Sequence, residues 1–159
     1  MNSESSSNGP LTFEKPAEGT KGNQLALEPS QFVQILEGCA DAVVVSDHQG
    51  FILFFNESAE RIFQYRREEV LGQNVRLLMP DIHAYQHDQY LQNYLRTGEA
   101  KIIGKGRELD ARRKDGTPYP ILLTISESRD AQRRIFAAFI KDNREKEKWN
   151  TKSGSNWNR

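Results

Sequence analysis

The sequence has almost no cysteine and no long apolar run, and each of these absences excludes a class of protein. Cys39 is the single cysteine among 159 residues, so an internal disulfide and a cysteine-based zinc site are both excluded. No apolar stretch approaches the roughly 20 residues that a membrane-spanning helix needs. Residues 1–10 are polar and lack the charged-then-apolar order of a secretory signal. These features predict a soluble, cytoplasmic protein without a membrane segment.

An excess of charge of one sign is also lacking. The 22 Lys and Arg residues balance 22 Asp and Glu residues, which gives a formal net charge of zero. Because such a chain has no general attraction for phosphate backbones or anionic lipid, neither nucleic acid nor a membrane surface is expected as its main partner. Hydrophobic residues make up 36% of the chain. The mean hydropathy is −0.74, and such a low value indicates polar tails around an ordinary core.

Composition divides the chain into one domain and two tails. Residues 1–30 hold three of the six prolines, and 14 of the 30 are Gly, Pro, Ser or Asn. Such a segment buries too little to offset its ordering entropy, so residues 1–30 are predicted to be disordered. Residues 31–143 carry nearly all the periodic apolar sequence and form the predicted domain. Residues 144–159 are predicted to be a charged, polar tail or the start of a signalling linker.

Within the domain, some segments have apolar residues at the two-residue spacing of a strand, and others have them at the three- to four-residue spacing of a helix. Ala42–Ser46 and Phe51–Phe55 flank a turn signal at 47–50 and predict a hairpin. Helical spacing follows in short stretches that begin at a capping residue or end at a glycine. Three strands close the domain at Arg107–Arg113, Tyr119–Glu127 and Arg133–Lys141. This order predicts an α+β fold, with one five-stranded antiparallel sheet and several short helices on one face.

Two local details sharpen this prediction. Ser30 is a plausible N-cap for a first helix whose apolar residues share one face. In the middle strand of the final three, Ile121, Leu123 and Ile125 alternate with residues 122, 124 and 126. Because strand side chains alternate between the two faces of a sheet, these three residues are predicted to face the interior.

The order of several short motifs resembles the PAS sensory domain. These motifs are Asp41-Ala42-Val43-Val44-Val45-Ser46-Asp47, Asn56-Glu57-Ser58-Ala59-Glu60-Arg61-Ile62-Phe63, Val70-Leu71-Gly72-Gln73-Asn74 and Arg113-Lys114-Asp115-Gly116-Thr117. The resemblance covers about residues 31 to 145. It implies the PAS fold and a sensory function in signal transduction, of the kind found in two-component systems and phosphorelays. It also implies a homodimer and an output partner that receives the signal.

A narrower resemblance is carried by His87-Asp88-Gln89-Tyr90-Leu91 and Ile102-Ile103-Gly104-Lys105-Gly106-Arg107-Glu108. These motifs look like the haem-binding PAS domains of rhizobial oxygen-sensing histidine kinases and of the direct oxygen sensor phosphodiesterase. The resemblance implies haem b as cofactor and a gas such as oxygen as ligand, with His87 as the proximal iron ligand. It places Arg107 on the distal side, where Ile102, Leu123 and Ile125 form a dry wall.

This chain departs from those families at three positions. Lys105 stands where they place an apolar residue or methionine, and burying its ammonium would be costly. Asn93 replaces an arginine that holds a propionate in the rhizobial proteins, although Lys101 or Arg96 are possible substitutes. Asn143 departs from the usual motif at the exit from the last strand, where PAS proteins pass their signal to a following helix.

Two alternatives to haem binding stay open. His87 is equally compatible with a capping or core histidine in a cofactor-free PAS domain that serves as a dimerisation or protein-interaction module. In that case a charge at Phe139 or Ile140 is expected to disrupt association. His83 and His87 are also spaced to share a helix face for zinc, although no further ligand supports them. No catalytic constellation is found, so any kinase, cyclase or phosphodiesterase output is expected outside this chain.

Overall fold

A single antiparallel sheet with short helices forms the domain. The computed structural model describes residues 27–81, 84, 86, 87, 89, 92, 93, 96 and 104–145. The elements in chain order are α1 (Pro29–Glu37), β1 (Ala42–Asp47), β2 (Ile52–Phe55), α2 (Glu57–Phe63), α3 (Arg67–Val70), a 3₁₀-helix (Val75–Leu78), β3 (Arg107–Arg112), β4 (Pro118–Arg129) and β5 (Arg134–Asp142). The described residues between 81 and 96 all have helical backbone.

The five strands form one sheet in the order β2-β1-β5-β4-β3. Every pairing in it is antiparallel. The predicted α+β architecture is therefore confirmed. The last strand in the sequence, β5, lies at the centre of the sheet between β1 and β4. The sequence placed the strands within a few residues of their observed ends, and β4 continues beyond its predicted end at Glu127 to Arg129.

One side of the sheet, called here the inner face, carries the hydrophobic core. Ala42 pairs with Ile140, Ile140 pairs with Leu123, and Leu123 pairs with Arg107. Because directly paired residues of antiparallel strands point to the same side, all four lie on the inner face. Residues of α2, α3 and the 3₁₀-helix pack onto it. The buried core consists of Ala42, Val44, Ile52, Phe55, Ala59, Phe63, Val70, Val75, Leu78, Ala111, Tyr119, Ile121 and Ile140.

The pairing register corrects one prediction about the last strand. Phe139 pairs with Val43 and lies on the opposite side of the sheet, the outer face, where it is half-buried. Ile140 is 4% exposed and belongs to the core. Since neighbouring residues of a strand point to opposite faces, the two cannot serve the same surface. Phe139 remains available for association, whereas the expectation that Ile140 contributes to it was wrong.

The N-cap of helix α1 lies two residues before the predicted N-cap, Ser30. Glu28 caps it, because its backbone N–H donates to Oε1 of Gln31 at 2.8 Å while its own side chain accepts from the first turn. None of its residues is fully buried. Phe32, Val33 and Ile35 are 52%, 49% and 59% exposed. The apolar face of α1 therefore has little cover within the described chain.

Polar contacts hold the C-terminal end of α1. The Arg67 guanidinium donates to Glu37 of α1 at 2.6 Å, and its backbone N–H donates to Glu60 of α2 at 2.8 Å. The hydrogen bonds from Arg67 lower the pKa of Glu60 below its usual range. Arg67 thus links three helices through charge-assisted hydrogen bonds rather than through apolar packing.

A second polar junction lies next to the first and is fully buried. The Oδ1 atom of Asn56 accepts from the backbone N–H groups of Val43 at 2.9 Å and Ala59 at 3.0 Å. Its Nδ2 atom donates to the carbonyls of Leu36 at 2.9 Å and Asp41 at 3.1 Å. Asn56 is 0% exposed, so one side chain caps α2 and fixes the chain between α1 and β1.

Candidate functional site

Towards one end of β4 and β5, the residues on the inner face are less deeply buried than those of the core. Ile121 and Ile140 are buried at 3% and 4% exposure. Further along the same face, Leu123, Ile125 and Phe136 are only half-buried. An apolar surface with partial cover is typical of a place where a small hydrophobic ligand can bind. This half-buried part of the inner face is the candidate ligand site.

Three of the predicted site residues lie together on this surface. Arg107 of β3 is directly paired with Leu123 of β4, and Ile125 follows two residues later on the same face. Arg107 is exposed to solvent. Its guanidinium therefore lies at the rim of the site and not in its buried part. The arrangement places one cation beside an aliphatic surface. Such a group can donate hydrogen bonds to a polar atom or an anionic substituent of a ligand.

His87 lies on the helical part of the chain between 81 and 96. Its side chain is half-buried, and its Nδ1 atom is screened from solvent. A metal ligand requires a fixed ring orientation, which a hydrogen bond to the second ring nitrogen usually provides. Ile102, predicted to complete the distal wall, lies outside the described residues.

Lys105 does not carry the burial cost that the sequence suggested. It lies in the turn before β3 and is exposed to solvent. Gly104 beside it has φ +75°, a conformation that favours glycine. The carbonyl of Ile125 accepts from the Gly104 N–H at 3.0 Å. This turn therefore closes against the edge of the candidate site while the Lys105 ammonium remains in water.

The sequence reading missed an ion pair on the inner face. Glu127 of β4 and Arg134 of β5 form a salt bridge with side chains only 16% and 17% exposed. The Arg134 guanidinium also lies 5.8 Å from the ring centroid of Phe136. The sequence does indicate the position of Glu127, because this residue continues the two-residue spacing of Ile121, Leu123 and Ile125 and therefore points to the inner face. The site therefore ends in a desolvated polar pair instead of a continuous apolar wall.

A polar cluster marks the exit from β5. The Tyr119 hydroxyl donates to Oδ2 of Asp142 at 2.8 Å, and the Arg144 guanidinium donates to the same oxygen at 2.6 Å. The hydrogen bonds from Arg144 hold the pKa of Asp142 far below its usual range. Burial of the Tyr119 ring, followed by its contact with Asp142, raises the tyrosine pKa. The ion pair and the neutral hydroxyl donor are therefore both present at neutral pH.

The depressed pKa of Asp142 predicts a pH-dependent contribution to stability. A lowered folded-state pKa means that the carboxylate stabilises the fold above about pH 4, the ordinary aspartate range, and that this contribution is lost as the pH falls through the folded value. The difference in unfolding free energy between wild type and Asp142→Asn is expected to be about 1 kcal/mol at pH 7, because solvent screens this partly exposed group. Urea denaturation should show the difference shrinking towards pH 3. A difference independent of pH would contradict the assignment.

Within residues 27–81, 104–145 and the described positions between them, no three His, Cys, Asp or Glu side chains form a group that could hold a metal ion. His83, the second member of the predicted zinc pair, lies outside the described residues. No helix in this part of the chain is both long and apolar enough to cross a bilayer.

Comparison with known proteins establishes the family. The PAS fold profile matches residues 30–142. The chain therefore belongs to the PAS family, and the resemblance based on its motifs is confirmed. Solved PAS structures agree: a PAS domain from Colwellia psychrerythraea superimposes with a TM-score of 0.60 at 22% identity, over 71% of this chain and 94% of that one. A PAS domain of an HTR-like protein from Haloarcula marismortui gives 0.56 at 20%, over 71% and 89%.

Two of the curated relatives are named as sensor proteins and others as kinases. The chain is 36% identical over 129 residues to the sensor protein FixL of Bradyrhizobium diazoefficiens, covering 81% of this chain and 25% of FixL. It is 28% identical over 111 residues to the oxygen sensor protein DosP of Escherichia coli, covering 70% and 14%. It is also 28% identical over 134 residues to the cell-division control histidine kinase PdhS of Brucella ovis, covering 84% and 13%. The chain thus spans a quarter or less of each relative and matches a sensory, regulatory domain.

Proposed function

We propose that this PAS domain is a cytoplasmic sensor that binds haem b against the inner face of its sheet and detects a gas such as oxygen. The observation that carries the proposal is the half-buried apolar surface at Leu123 and Ile125, with Arg107 paired beside it on the same face. The half-buried imidazole of His87 supplies the residue type that most often ligates haem iron.

Each residue has a defined task in this proposal. His87 acts as the proximal ligand in its neutral form, because a protonated imidazole has no lone pair for a metal. Leu123 and Ile125, together with Ile102, exclude water from the opposite side. The Arg107 guanidinium donates hydrogen bonds to a polar ligand atom or to a carboxylate of the cofactor. When bound, haem supplies an iron centre that takes up a diatomic gas.

The relatives support this proposal and suggest its output. DosP is named an oxygen sensor, and PdhS is named a histidine kinase. Since the chain corresponds to a small part of each, we propose that catalysis resides in an output domain or partner. We propose further that the domain works as a homodimer.

An absorbance spectrum with hemin tests the proposal. Purified wild-type protein is expected to give a sharp Soret band after addition of hemin, and the band should shift with carbon monoxide or oxygen. In His87→Ala the specific band should be lost while far-ultraviolet circular dichroism shows an intact fold. Arg107→Ala should keep the band and respond more weakly to oxygen.

The matched control is His48→Ala, because His48 is exposed in the turn between β1 and β2. This variant should bind hemin like wild type. A His83→Ala variant asks whether the neighbouring histidine is used instead. A band that is unaffected by His87→Ala, or no specific band at all, would refute the assignment of His87 as haem ligand.

One observation favours a second candidate, a cofactor-free module for self-association. Helix α1 exposes Phe32, Val33 and Ile35, and Phe139 lies half-buried on the outer face of the sheet. These surfaces fit a second copy of the chain better than solvent. On this alternative, hemin has no specific effect and Phe139→Asp converts a dimer to a monomer.

A further inference from the structure

We propose that the ligand of this domain carries an anionic group beside its apolar body, and that Arg134 binds this group at one end of the inner face. The inference rests on the proposed function, which places a ligand on the inner face. It adds the chemical class of that ligand and the residue that selects it. Haem b belongs to this class through its carboxylate side chains, and so does any elongated apolar molecule with a carboxylate.

Arg134 lies on the same surface as the candidate ligand site. On this face, Ile125 of β4 pairs with Ala138 of β5, and Glu127 pairs with Phe136 two positions further along. Arg134 precedes Phe136 by two residues in β5, so its side chain points to the same face. A ligand that lies along β4 and β5 from Ile125 therefore meets the Arg134 guanidinium where the apolar surface ends.

The Arg134 guanidinium is held where little water reaches it. Its side chain is 17% exposed, and its guanidinium carbon lies 5.8 Å from the centroid of the Phe136 ring. Hydrogen bonds from a guanidinium to an anion are among the strong ones in proteins, and they gain further strength where water is largely excluded. The site thus ends in a group that favours a carboxylate, sulfonate or phosphate over a neutral substituent.

The charge around this end of the site is predominantly positive. Arg129 is paired directly with Arg134, and Arg107 lies beside the apolar surface on β3. Within the described strands, Glu127 is the one acidic side chain on the inner face between Leu123 and the β4–β5 turn. The whole chain has a formal net charge of zero, so these arginines form a local concentration of positive charge. Such a field attracts anionic ligands.

Glu127 controls how readily an anion binds. It forms a salt bridge with Arg134 in which the two side chains are only 16% and 17% exposed. Because removing charges from water is costly, this guanidinium remains paired with the Glu127 carboxylate while no ligand is bound. An anionic ligand exchanges with this carboxylate, whereas a neutral ligand leaves the ion pair unchanged. Glu127 therefore acts as an internal competitor that lowers the affinity for anions.

Fluorescence titration of the full chain with a matched pair of probes tests the proposal. Anilinonaphthalene sulfonate has an apolar ring system and a sulfonate, and phenylnaphthylamine has the same ring system without the sulfonate. Arg134→Gln should raise the Kd of the sulfonate probe about tenfold, the effect of losing one hydrogen bond to a charged group, and change that of phenylnaphthylamine by less than about twofold. Glu127→Gln should lower the Kd of the sulfonate probe about fivefold, because it removes the competitor.

Arg133→Gln is the matched control, because Arg133 directly precedes Arg134 and is exposed in the turn before β5. It should leave both Kd values within about twofold of wild type. Circular dichroism shows whether each variant is folded. Should Arg134→Gln fail to fold with Glu127 unpaired, the double variant with Glu127→Gln takes its place. It should bind the sulfonate probe at least about tenfold more weakly than Glu127→Gln alone does.

The proposal would be overturned by a wild-type protein that does not bind the sulfonate probe, by a Kd that loss of Arg134 leaves unchanged, or by equal losses for both probes. Titration with hemin identifies the source of the anionic group. If loss of Arg134 weakens hemin binding as well, the group is a carboxylate of haem; if it does not, the group belongs to another apolar anion. If hemin does not bind at all, the haem proposal fails while the probe pair still decides the role of Arg134.

Discussion

Asn56→Ala is expected to lower the free energy of unfolding by about 3–5 kcal/mol. The change removes the four hydrogen bonds of a fully buried amide. The Val43 N–H and the Asp41 carbonyl lose the partner that Asn56 supplies, whereas the Leu36 carbonyl still accepts from the Cys39 N–H at 3.4 Å. A buried polar group that loses its partner costs more than a hydrogen bond contributes on average, because it cannot regain water. Chemical denaturation monitored by circular dichroism would measure the loss.

Asn74→Ala provides the matched control for this prediction. Asn74 also caps a short helix, since its Oδ1 atom accepts from the Arg76 N–H at 3.1 Å, but it is only half-buried. Its Nδ2 atom also donates to the carbonyl of the exposed Gln49 at 3.1 Å, so the expected cost is about 1–2 kcal/mol, the value of a cap and one solvent-accessible hydrogen bond. Asn56→Asp keeps both acceptor bonds and loses both donor bonds, so it separates capping of α2 from anchoring of α1. Equal destabilisation by Asn56→Ala and Asn74→Ala would contradict the proposed role of the buried junction.

Ile140→Asp and Phe139→Asp are expected to have opposite outcomes although they change neighbouring residues. Ile140 lies in the core at 4% exposure, so an aspartate there must either bury a charge or open the core. The expected loss is at least about 4 kcal/mol, a large share of the roughly 5–15 kcal/mol by which an ordinary domain is stable. Phe139 lies on the outer face, where a carboxylate can reach water, so the fold is expected to survive.

Thermal unfolding and sedimentation velocity distinguish these outcomes. Ile140→Asp should melt far below wild type or without a cooperative transition, whereas Phe139→Asp should melt within a few degrees of wild type. If the outer face mediates dimerisation, Phe139→Asp should also sediment as a monomer at concentrations at which wild type is dimeric. A stable, folded Ile140→Asp protein would show that the assignment of the inner face is incorrect.

The sheet was predictable because its turns and alternation are local signals. Asp47 predicts the first hairpin, and its Oδ1 atom accepts from Gln49 and Phe51 in the turn as such residues do. Gly116 likewise takes a φ of +85° between β3 and β4. Hydrophobic alternation in β4 identified its inner face correctly. Each of these features depends on residues close together in the sequence.

The remaining features depend on register between distant residues, which local patterns do not contain. The hydroxyl of Tyr119 meets Asp142 across 23 positions, and Glu127 meets Arg134 because β4 and β5 pair in one register out of several. The position of Ile140 relative to the core follows from the same register. The exposure of α1 could not be predicted either. Its amphipathic spacing predicts that the apolar face is buried, but the spacing does not show whether another part of the chain covers that face.

The central place of β5 has a consequence for how the domain folds. Until β5 joins, β1 can pair only with β2, and the β3–β4 hairpin has no contact with them through the sheet. Contacts between the first and last strands span nearly the whole domain, and such non-local contacts slow folding. During synthesis the sheet can therefore close only after residue 142 has left the ribosome. A chain interrupted before that point would present two separate, unpaired hairpin edges, which makes it prone to aggregation.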